Sequence, residues 1–215
     1  MIVKIGTCAV WGLDGFEVTV EAYRGNGPFE MEIIGLPDLA VKESQNRITA
    51  ALMALRLPAP SGKVTVNLAP ADRKKQGSGF DLPILMALLS MTVLSSADFG
   101  DCFFFGELGL DGSLRGGVGA LPKALAARDA GARVLFVPKE NEKECSVVEG
   151  LTVYGADHVT QILDHLSGKG STLVAPQSQV VSVTAYAEGI TIPSTMAKTQ
   201  IKDNILFFIS FPPNG

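Results

Sequence analysis

Residues 64–83 read VTVNLAPADRKKQGSGFDLP, the segment from which the architecture can be worked out. At its start Val64, Val66 and Leu68 alternate with polar residues, which predicts a strand with one buried face. A charged, glycine-rich loop follows, and the DLP triplet at residues 81–83 predicts a helix that continues to about residue 93. An Asp at the cap with a Pro two residues later is typical of a helix N-terminus. The segment is therefore a strand–loop–helix unit.

The part of the chain before this unit is predicted to be rich in β-structure. We expect strands at residues 2–10, 16–24 and 29–34, with a hairpin turn at residues 13–15 joining the first two. The GLPD break at residues 35–38 predicts the start of a helix, whose buried stripe comprises Val41, Ile48, Leu52 and Leu55. Trp11 is expected to be an ordinary packing residue.

The part after the unit predicts alternating strands and helices. Strands are expected at residues 102–108, 133–137 and 151–154, and helices at residues 121–130 and 159–166, with a hairpin turn at residues 110–114. A short helix should follow residues 138–141. The pattern changes after residue 167, so we predict one domain at residues 1–168. Residues 169–215 are predicted to be a linker or the remnant of a missing module.

Composition indicates an ordinary globular protein, with 47% hydrophobic and 19% charged residues and a formal net charge of -4. This charge gives no overall attraction to nucleic acid or to anionic membranes. Cys8, Cys102 and Cys145 form no closely spaced pair, so we expect reduced, buried thiols and no metal site. The N-terminus does not resemble a signal peptide, and the apolar run at residues 82–94 is too short to span a bilayer. We therefore expect a cytoplasmic protein.

Two motifs carry a resemblance to a known family. The first is NLAPAD at residues 67–72 with its basic loop and GFDLP at residues 79–83. The second is FGELGLDGSLRG at residues 105–116, followed by GALPKALAA at residues 119–127. Together they resemble the N-terminal domain of the Mg-chelatase-like ATPases of the ComM/YifB type, over about residues 2–168. The resemblance implies an α/β (α+β) fold of the ribosomal protein S5 domain 2-like kind, with a Lon-protease-like core.

The resemblance also implies a function. In this family the domain precedes an AAA+ ATPase module, in a hexameric ring that moves on branched DNA and supports recombination in natural transformation. The chain has no Walker A loop, because Gly168-Lys169-Gly170 lacks the upstream glycine and the hydroxyl residue. We therefore expect a non-catalytic accessory domain that binds no cofactor itself. ATP and Mg²⁺ are expected only in the missing module, and a homo-oligomer only in the full-length protein.

The similarity to Lon peptidases raises an alternative, a Ser–Lys peptidase. Lys123 matches the position of the Lon lysine, whereas an ungapped match brings Gly79 to the nucleophile position. A one-residue slip would bring Ser78 there instead. Phe80 and Asp81 stand where the Lon pattern has a small residue and a glycine after the serine, and a carboxylate there would pair with a nearby lysine and keep it protonated. We therefore expect Lys123 to be solvated or paired with Asp81.

The basic loop of Arg73, Lys74 and Lys75 is a candidate site for an anion such as a DNA phosphate. It precedes a glycine-rich turn and a helix N-terminus, which favour anions, and Arg115 is a further candidate for the same surface. Two alternatives remain open. The loop could be a solvated charged segment, or the chain could be a stand-alone nucleic-acid-binding module. His158 and His165 are expected to be surface residues.

Overall fold

A computed structural model describes residues 1–169 and 173–176 of the chain. The strands in these residues are β1 (Ile2–Trp11), β2 (Asp14–Arg24), β3 (Glu30–Ile34), β4 (Lys63–Ala69), β5 (Cys102–Phe104), β6 (Glu107–Leu108), β7 (Leu114–Arg115), β8 (Val134–Pro138) and β9 (Thr152–Ala156). The helices are α1 (Leu39–Ala54), α2 (Asp81–Leu89), α3 (Ala120–Asp129), α4 (Lys139–Cys145) and α5 (Val159–Ser167), and a 3₁₀ turn at Ser78–Phe80 leads directly into α2.

Seven of the strands form one mixed sheet in the order β3-β4-β2-β1-β5-β8-β9, and β6 pairs with β7 separately. β2 is antiparallel to β1 and β4, while the other four neighbouring pairs of the large sheet are parallel. Helices flank the sheet, so the predicted α/β class is confirmed. The predicted alternation also holds, because Val18, Val20 and Ala22 on β2 are all buried.

The core lies on both faces of the sheet. Along β5 and β8, Phe104 and Phe136 join the cluster that α1, α2 and α5 cover, and their rings stack. The alternate residues Phe103 and Leu135 join a second cluster with α3 and α4. Every residue of α2 is buried, so this helix runs through the first cluster rather than over the surface. The start of α2 is consequently held from several sides.

The predicted single strand at residues 102–108 is wrong, because the chain leaves the large sheet after Phe104. The N–H of Gly106 donates to the carbonyl of Gly79 at 3.0 Å, and the carbonyl of Gly106 accepts from the N–H of Leu82 at 3.1 Å. These bonds tie residue 106 to the start of α2 and divide the segment into β5 and β6. Helix α2 is also shorter than predicted, because it ends at Leu89 and not at about residue 93.

Two predictions about side chains also need correction. Trp11 is 61% exposed, because it is the last residue of β1 and pairs with Asp14 at the end of the hairpin, beyond the core. The N-cap of α2 is Phe80, and the carboxylate of Asp81 makes no capping bond. The prediction of buried thiols is confirmed, since Cys8, Cys102 and Cys145 are buried and free.

None of the helices in the described residues has the length and apolar character needed to cross a bilayer. Helix α5 ends at Ser167, with Gly168 in the left-handed conformation as its C-cap. The predicted linker at residues 169–215 lies outside the described residues except for Lys169 and residues 173–176.

Candidate functional site

Asp81 lies at the start of α2 and is 0% exposed. Its carboxylate accepts hydrogen bonds from Arg47 Nε at 2.6 Å and Nη2 at 2.9 Å, from the N–H of Leu108 at 3.0 Å, and from the hydroxyl of Ser44. Hydrogen bonding to Asp81 raises the pKa of Arg47 above its usual value. The predicted ion pair between Asp81 and Lys123 is therefore wrong, because the carboxylate faces α1 and β6 and is fully occupied there.

Lys123 lies in the first turns of α3 and is half-buried, so the prediction of a solvated lysine is also wrong. Its Nζ lies 4.9 Å from the centre of the Phe105 ring, within the range of a cation–π contact. A Cβ added to Gly79 would lie 3.4 Å from the same Nζ. The amine therefore lies at the position toward which a side chain at residue 79 would point.

The surroundings of Lys123 leave its charge uncompensated. Burial lowers the pKa of its amine, with weaker opposing effects from Cys145, Cys8 and Glu144. Burial raises the pKa of both thiols to about 12, so both are neutral at pH 7. The carboxylate of Glu144 accepts from the N–H of Leu121 at 2.9 Å. Among the described residues, no carboxylate lies within ion-pair distance of Lys123.

A pocket of about 230 Å³ opens beside Lys123. Ser78 lines it, but its hydroxyl donates to the carboxylate of Glu107, and no hydrogen bond joins Ser78 to Lys123. Glu107 also lies 3.7 Å from the guanidinium of Arg115, which is 65% exposed. The structure thus brings Ser78, Gly79 and Lys123 to one pocket, while Asp81 lies outside its lining.

Gly116 and Gly117 form a glycine-rich wall of this pocket. Two residues of α4 that the sequence reasoning did not identify hold this wall in place. The N–H of Gly116 donates to Glu140 Oε2 at 2.9 Å, and the N–H of Gly117 donates to Asn141 Oδ1 at 3.0 Å. Asn141 Nδ2 in turn donates to the carbonyl of Gly117 at 3.0 Å. The glycine wall is therefore held by bonds to α4 and is not a free loop.

Of the three cations in the basic loop, Arg73 and Lys74 are exposed and Lys75 is buried. The side chain of Lys75 is 0% exposed and its amine donates to the carbonyl of Pro70. Its backbone bonds to Leu36 and Asp38 hold the loop against the start of α1, and burial lowers its pKa. Lys75 is therefore not an accessible anion ligand, which corrects the expectation of three surface cations. Lys74 is exposed, and Arg73 lies 5.0 Å from the centre of the Phe16 ring.

Arg73 and Lys74 line a cleft of about 470 Å³ together with Trp11 and Leu36, and with two acidic residues, Asp14 and Asp72. Leu36 has a positive φ of 57°, which is unusual for a leucine, and its side chain is 54% exposed. Trp11 is a residue that the sequence reasoning missed as a candidate, because β-strand alternation alone cannot tell that a strand extends past its core. Arg115 lines the Lys123 pocket instead of this cleft.

Comparison with known proteins shows the family of the chain. Residues 20–141 match the family model described as subunit ChlI of Mg-chelatase. The chain belongs to the Mg-chelatase-like ComM/YifB family. It is 37% identical to competence protein ComM of Haemophilus influenzae over 162 residues, and 36% identical to the uncharacterized protein YifB of Escherichia coli over 166 residues. These matches cover 75% and 77% of this chain but only 32% and 33% of the relatives, so it spans about a third of their length.

Neither histidine of this Mg-chelatase-like domain is a free surface residue. His158 is the N-cap of α5, and its Nε2 lies 2.9 Å from the carbonyl oxygen of Asp111. His165 is half-buried beside the rings of Phe136 and Tyr154, and burial lowers its pKa. In the described part of the chain, no group of three His, Cys, Asp or Glu residues is arranged to hold a metal ion. Both histidines serve packing and capping.

Proposed function

We propose that this chain is a non-catalytic accessory domain of a Mg-chelatase-like AAA+ ATPase, and that it guides DNA. Family membership supports the assignment, since the relatives are about three times as long as the part matched here. ATP hydrolysis and Mg²⁺ binding would then belong to a separate module, and the full-length protein would be a cytoplasmic homo-oligomer that acts in recombination during natural transformation.

The observation that carries the non-catalytic assignment is the position of Gly79 beside Lys123. A lysine with a lowered pKa can act as the base of a hydroxyl nucleophile, but only if the hydroxyl is within hydrogen-bond reach. Here the residue that faces the amine has no side chain, and the hydroxyl of Ser78 donates to Glu107. The pocket therefore has a candidate base without its nucleophile.

Labelling with a serine-reactive phosphonate tests the rival function, a Ser–Lys peptidase. We expect no adduct on Ser78 in the unmodified chain, and the same result for Lys123→Ala. An adduct on Ser78 that disappears in Lys123→Ala would overturn the non-catalytic assignment.

The DNA-guiding role is supported by the cleft around Arg73, Lys74 and Trp11. Cations neutralise backbone phosphates, and an exposed aromatic ring stacks on unpaired bases such as those at a branch point. Because Asp14 and Asp72 also line the cleft, we expect moderate affinity that depends strongly on salt. The cleft shares no lining residue with the Lys123 pocket, so DNA binding and peptidase activity can be tested separately.

Binding of a labelled branched DNA to the full chain tests this role. The double variant Arg73→Ala/Lys74→Ala should lower affinity by about tenfold at low salt and reduce the slope of log K against log salt by roughly two. The matched control is Lys42→Ala/Lys143→Ala, which removes the same charge from exposed positions outside the cleft. Fluorescence of Trp11, the only tryptophan, should be quenched on binding. Absence of binding, or an equal loss in the control, would overturn the DNA-guiding role.

A further inference from the structure

The Lys123 pocket contains a nucleophilic group that the accessory role does not use. Its amine is half-buried against the face of Phe105 and has no carboxylate partner among the described residues. A buried cation without a partner lowers stability, and a chain that keeps one at the edge of a pocket is a candidate for chemistry there. The pocket of about 230 Å³ leaves room for a small molecule.

Access to the amine depends on Gly79. The Cβ of any other residue there would lie 3.4 Å from Nζ, in van der Waals contact, and would cover one approach to it. Gly79 is not among the residues with positive φ, so its backbone does not itself require glycine. The absence of a side chain at this position therefore leaves space directly beside the amine.

The charges around the pocket indicate what could enter. Arg115 is 65% exposed, and its contact with Glu107 is long at 3.7 Å, so its guanidinium can bind a carboxylate at the pocket mouth. Glu107 lines the same pocket and can exchange protons with a bound molecule. The titratable groups near enough to affect the charge of Lys123 are the neutral thiols of Cys8 on β1 and Cys145 on α4, and Glu144 on α4.

We propose that Lys123 captures a small carbonyl compound carrying a carboxylate, such as a 2-oxo acid or glyoxylate, as an imine. The neutral amine attacks the carbonyl carbon to form a carbinolamine, which then loses its hydroxyl as water. Glu107 takes the two protons of the amine nitrogen and returns them to the departing oxygen, which leaves as water while nitrogen and carbon form the C=N bond. The overall step is a condensation, so it needs no oxidant or reductant. Arg115 holds the carboxylate of the bound molecule. This site goes beyond the proposed accessory role and does not depend on it.

Reductive trapping of the full chain tests the proposal. The chain is incubated with glyoxylate and cyanoborohydride at pH 7, and carboxymethylation of each lysine is followed by peptide mass spectrometry. Lys123 should react several-fold faster than exposed Lys74, because a lowered pKa leaves a larger neutral fraction of its amine at pH 7. This advantage should shrink as the pH rises toward the ordinary lysine pKa. Equal rates for Lys123 and Lys74 at pH 7 would overturn the proposal, with no variant needed.

Two variants test the geometry. Gly79→Ala keeps the amine but narrows its approach, so trapping at Lys123 should slow while that at Lys74 does not change. Arg115→Gln should slow trapping of glyoxylate by about tenfold but leave trapping of uncharged propanal unchanged. Unchanged glyoxylate rates in both folded variants would exclude this pocket as the capture site. The DNA-binding assay is independent of these outcomes, so failure of either proposal can be recognised separately.

Discussion

Asp81 is a buried charge at the start of α2, whereas Lys123, on α3, is a half-buried charge beside the same turn, and their surroundings differ in almost every respect. Asp81 accepts four hydrogen bonds from Arg47, Ser44 and the backbone of Leu108. Lys123 faces an open pocket and contacts the ring of Phe105. Gly79, only two residues before Asp81, lies next to the amine of Lys123.

The contrast separates a charge that serves the fold from one that is available for chemistry. The Asp81 cluster joins α1, α2 and β6, and its bonding capacity is used within the protein. Lys123 is partly buried and has no carboxylate within ion-pair distance among the described residues, and this burial lowers the pKa of its amine. Perturbed groups of this second kind are enriched at functional sites, whereas satisfied networks are commonly structural.

The largest expected effect on stability is that of Asp81→Ala, which removes the carboxylate at the centre of the hydrogen-bonded cluster. It should lower the free energy of unfolding by about 3–5 kcal/mol, because Arg47 loses its principal partner at a buried site. Urea denaturation measures this loss. The control is Glu43→Gln, which removes the exposed second carboxylate 3.8 Å from Arg47 and should change stability by less than about 0.5 kcal/mol. Similar effects of the two variants would mean that Asp81 is not the structural charge inferred here.

A smaller loss, about 2–4 kcal/mol, is expected for Lys75→Ala. Among the lysines that the structure describes, Lys75 is the other one with a lowered pKa, but it is fully buried and its amine donates to the carbonyl of Pro70. The variant removes a packed side chain and leaves a cavity between the loop and α1. Its exposed neighbour provides the control, since Lys74→Ala should stay within about 0.5 kcal/mol in the same thermal or urea unfolding experiment. Equal stability of the two variants would contradict the burial of Lys75.

The smallest effect, and one of opposite sign, is expected for Lys123→Met. This variant should raise the free energy of unfolding by about 1 kcal/mol at pH 7, because it removes a partly desolvated cation and keeps most of the buried stem. Below the folded-state pKa the lysine is protonated in both states, and the gain is complete. As the pH rises through that pKa the folded state releases its proton first, so wild-type stability rises relative to the variant and the gain shrinks.

Unfolding measured at several pH values between 6 and about 10 would follow this trend. Lys42→Met, at an exposed position on α1, is the control and should show no such dependence. A destabilised Lys123→Met would show instead that the lysine is a satisfied structural residue, which would remove the difference between the two regions.

The sequence was informative wherever a local pattern decides the outcome. Alternation along residues 16–24 identified the buried face of β2, and the GLPD break at residues 35–38 predicted the start of α1. The structure adds that Asp38 is the N-cap of this helix, and its side chain accepts from the N–H of Val41 at 2.9 Å. The candidates Ser78 and Lys123 do line one pocket, 45 positions apart in the chain. Their proximity was inferred from motif similarity, because no local pattern carries a contact over that distance.

The sequence was uninformative where a side chain had a choice of partners. DLP at residues 81–83 has the form of a helix cap, yet the carboxylate of Asp81 bonds to Arg47, which lies on a different helix. RKK at residues 73–75 has the form of an exposed basic loop, yet backbone pairing with Leu36 and Asp38 turns Lys75 inward. In both cases a long-range contact outweighed the local preference.

By itself, the sequence determined the α/β class, the order of the long strands and helices, and the family of this protein, because hydrophobic periodicity, turn residues and motifs are properties of neighbouring positions. Only the tertiary structure decided which charges are compensated, that Trp11 is exposed, and that the amine of Lys123 lies beside Gly79 in the lining of an open pocket. Those properties depend on which segments meet when the sheet and α2 pack together, and solvation and partner distances exist only after that packing is complete.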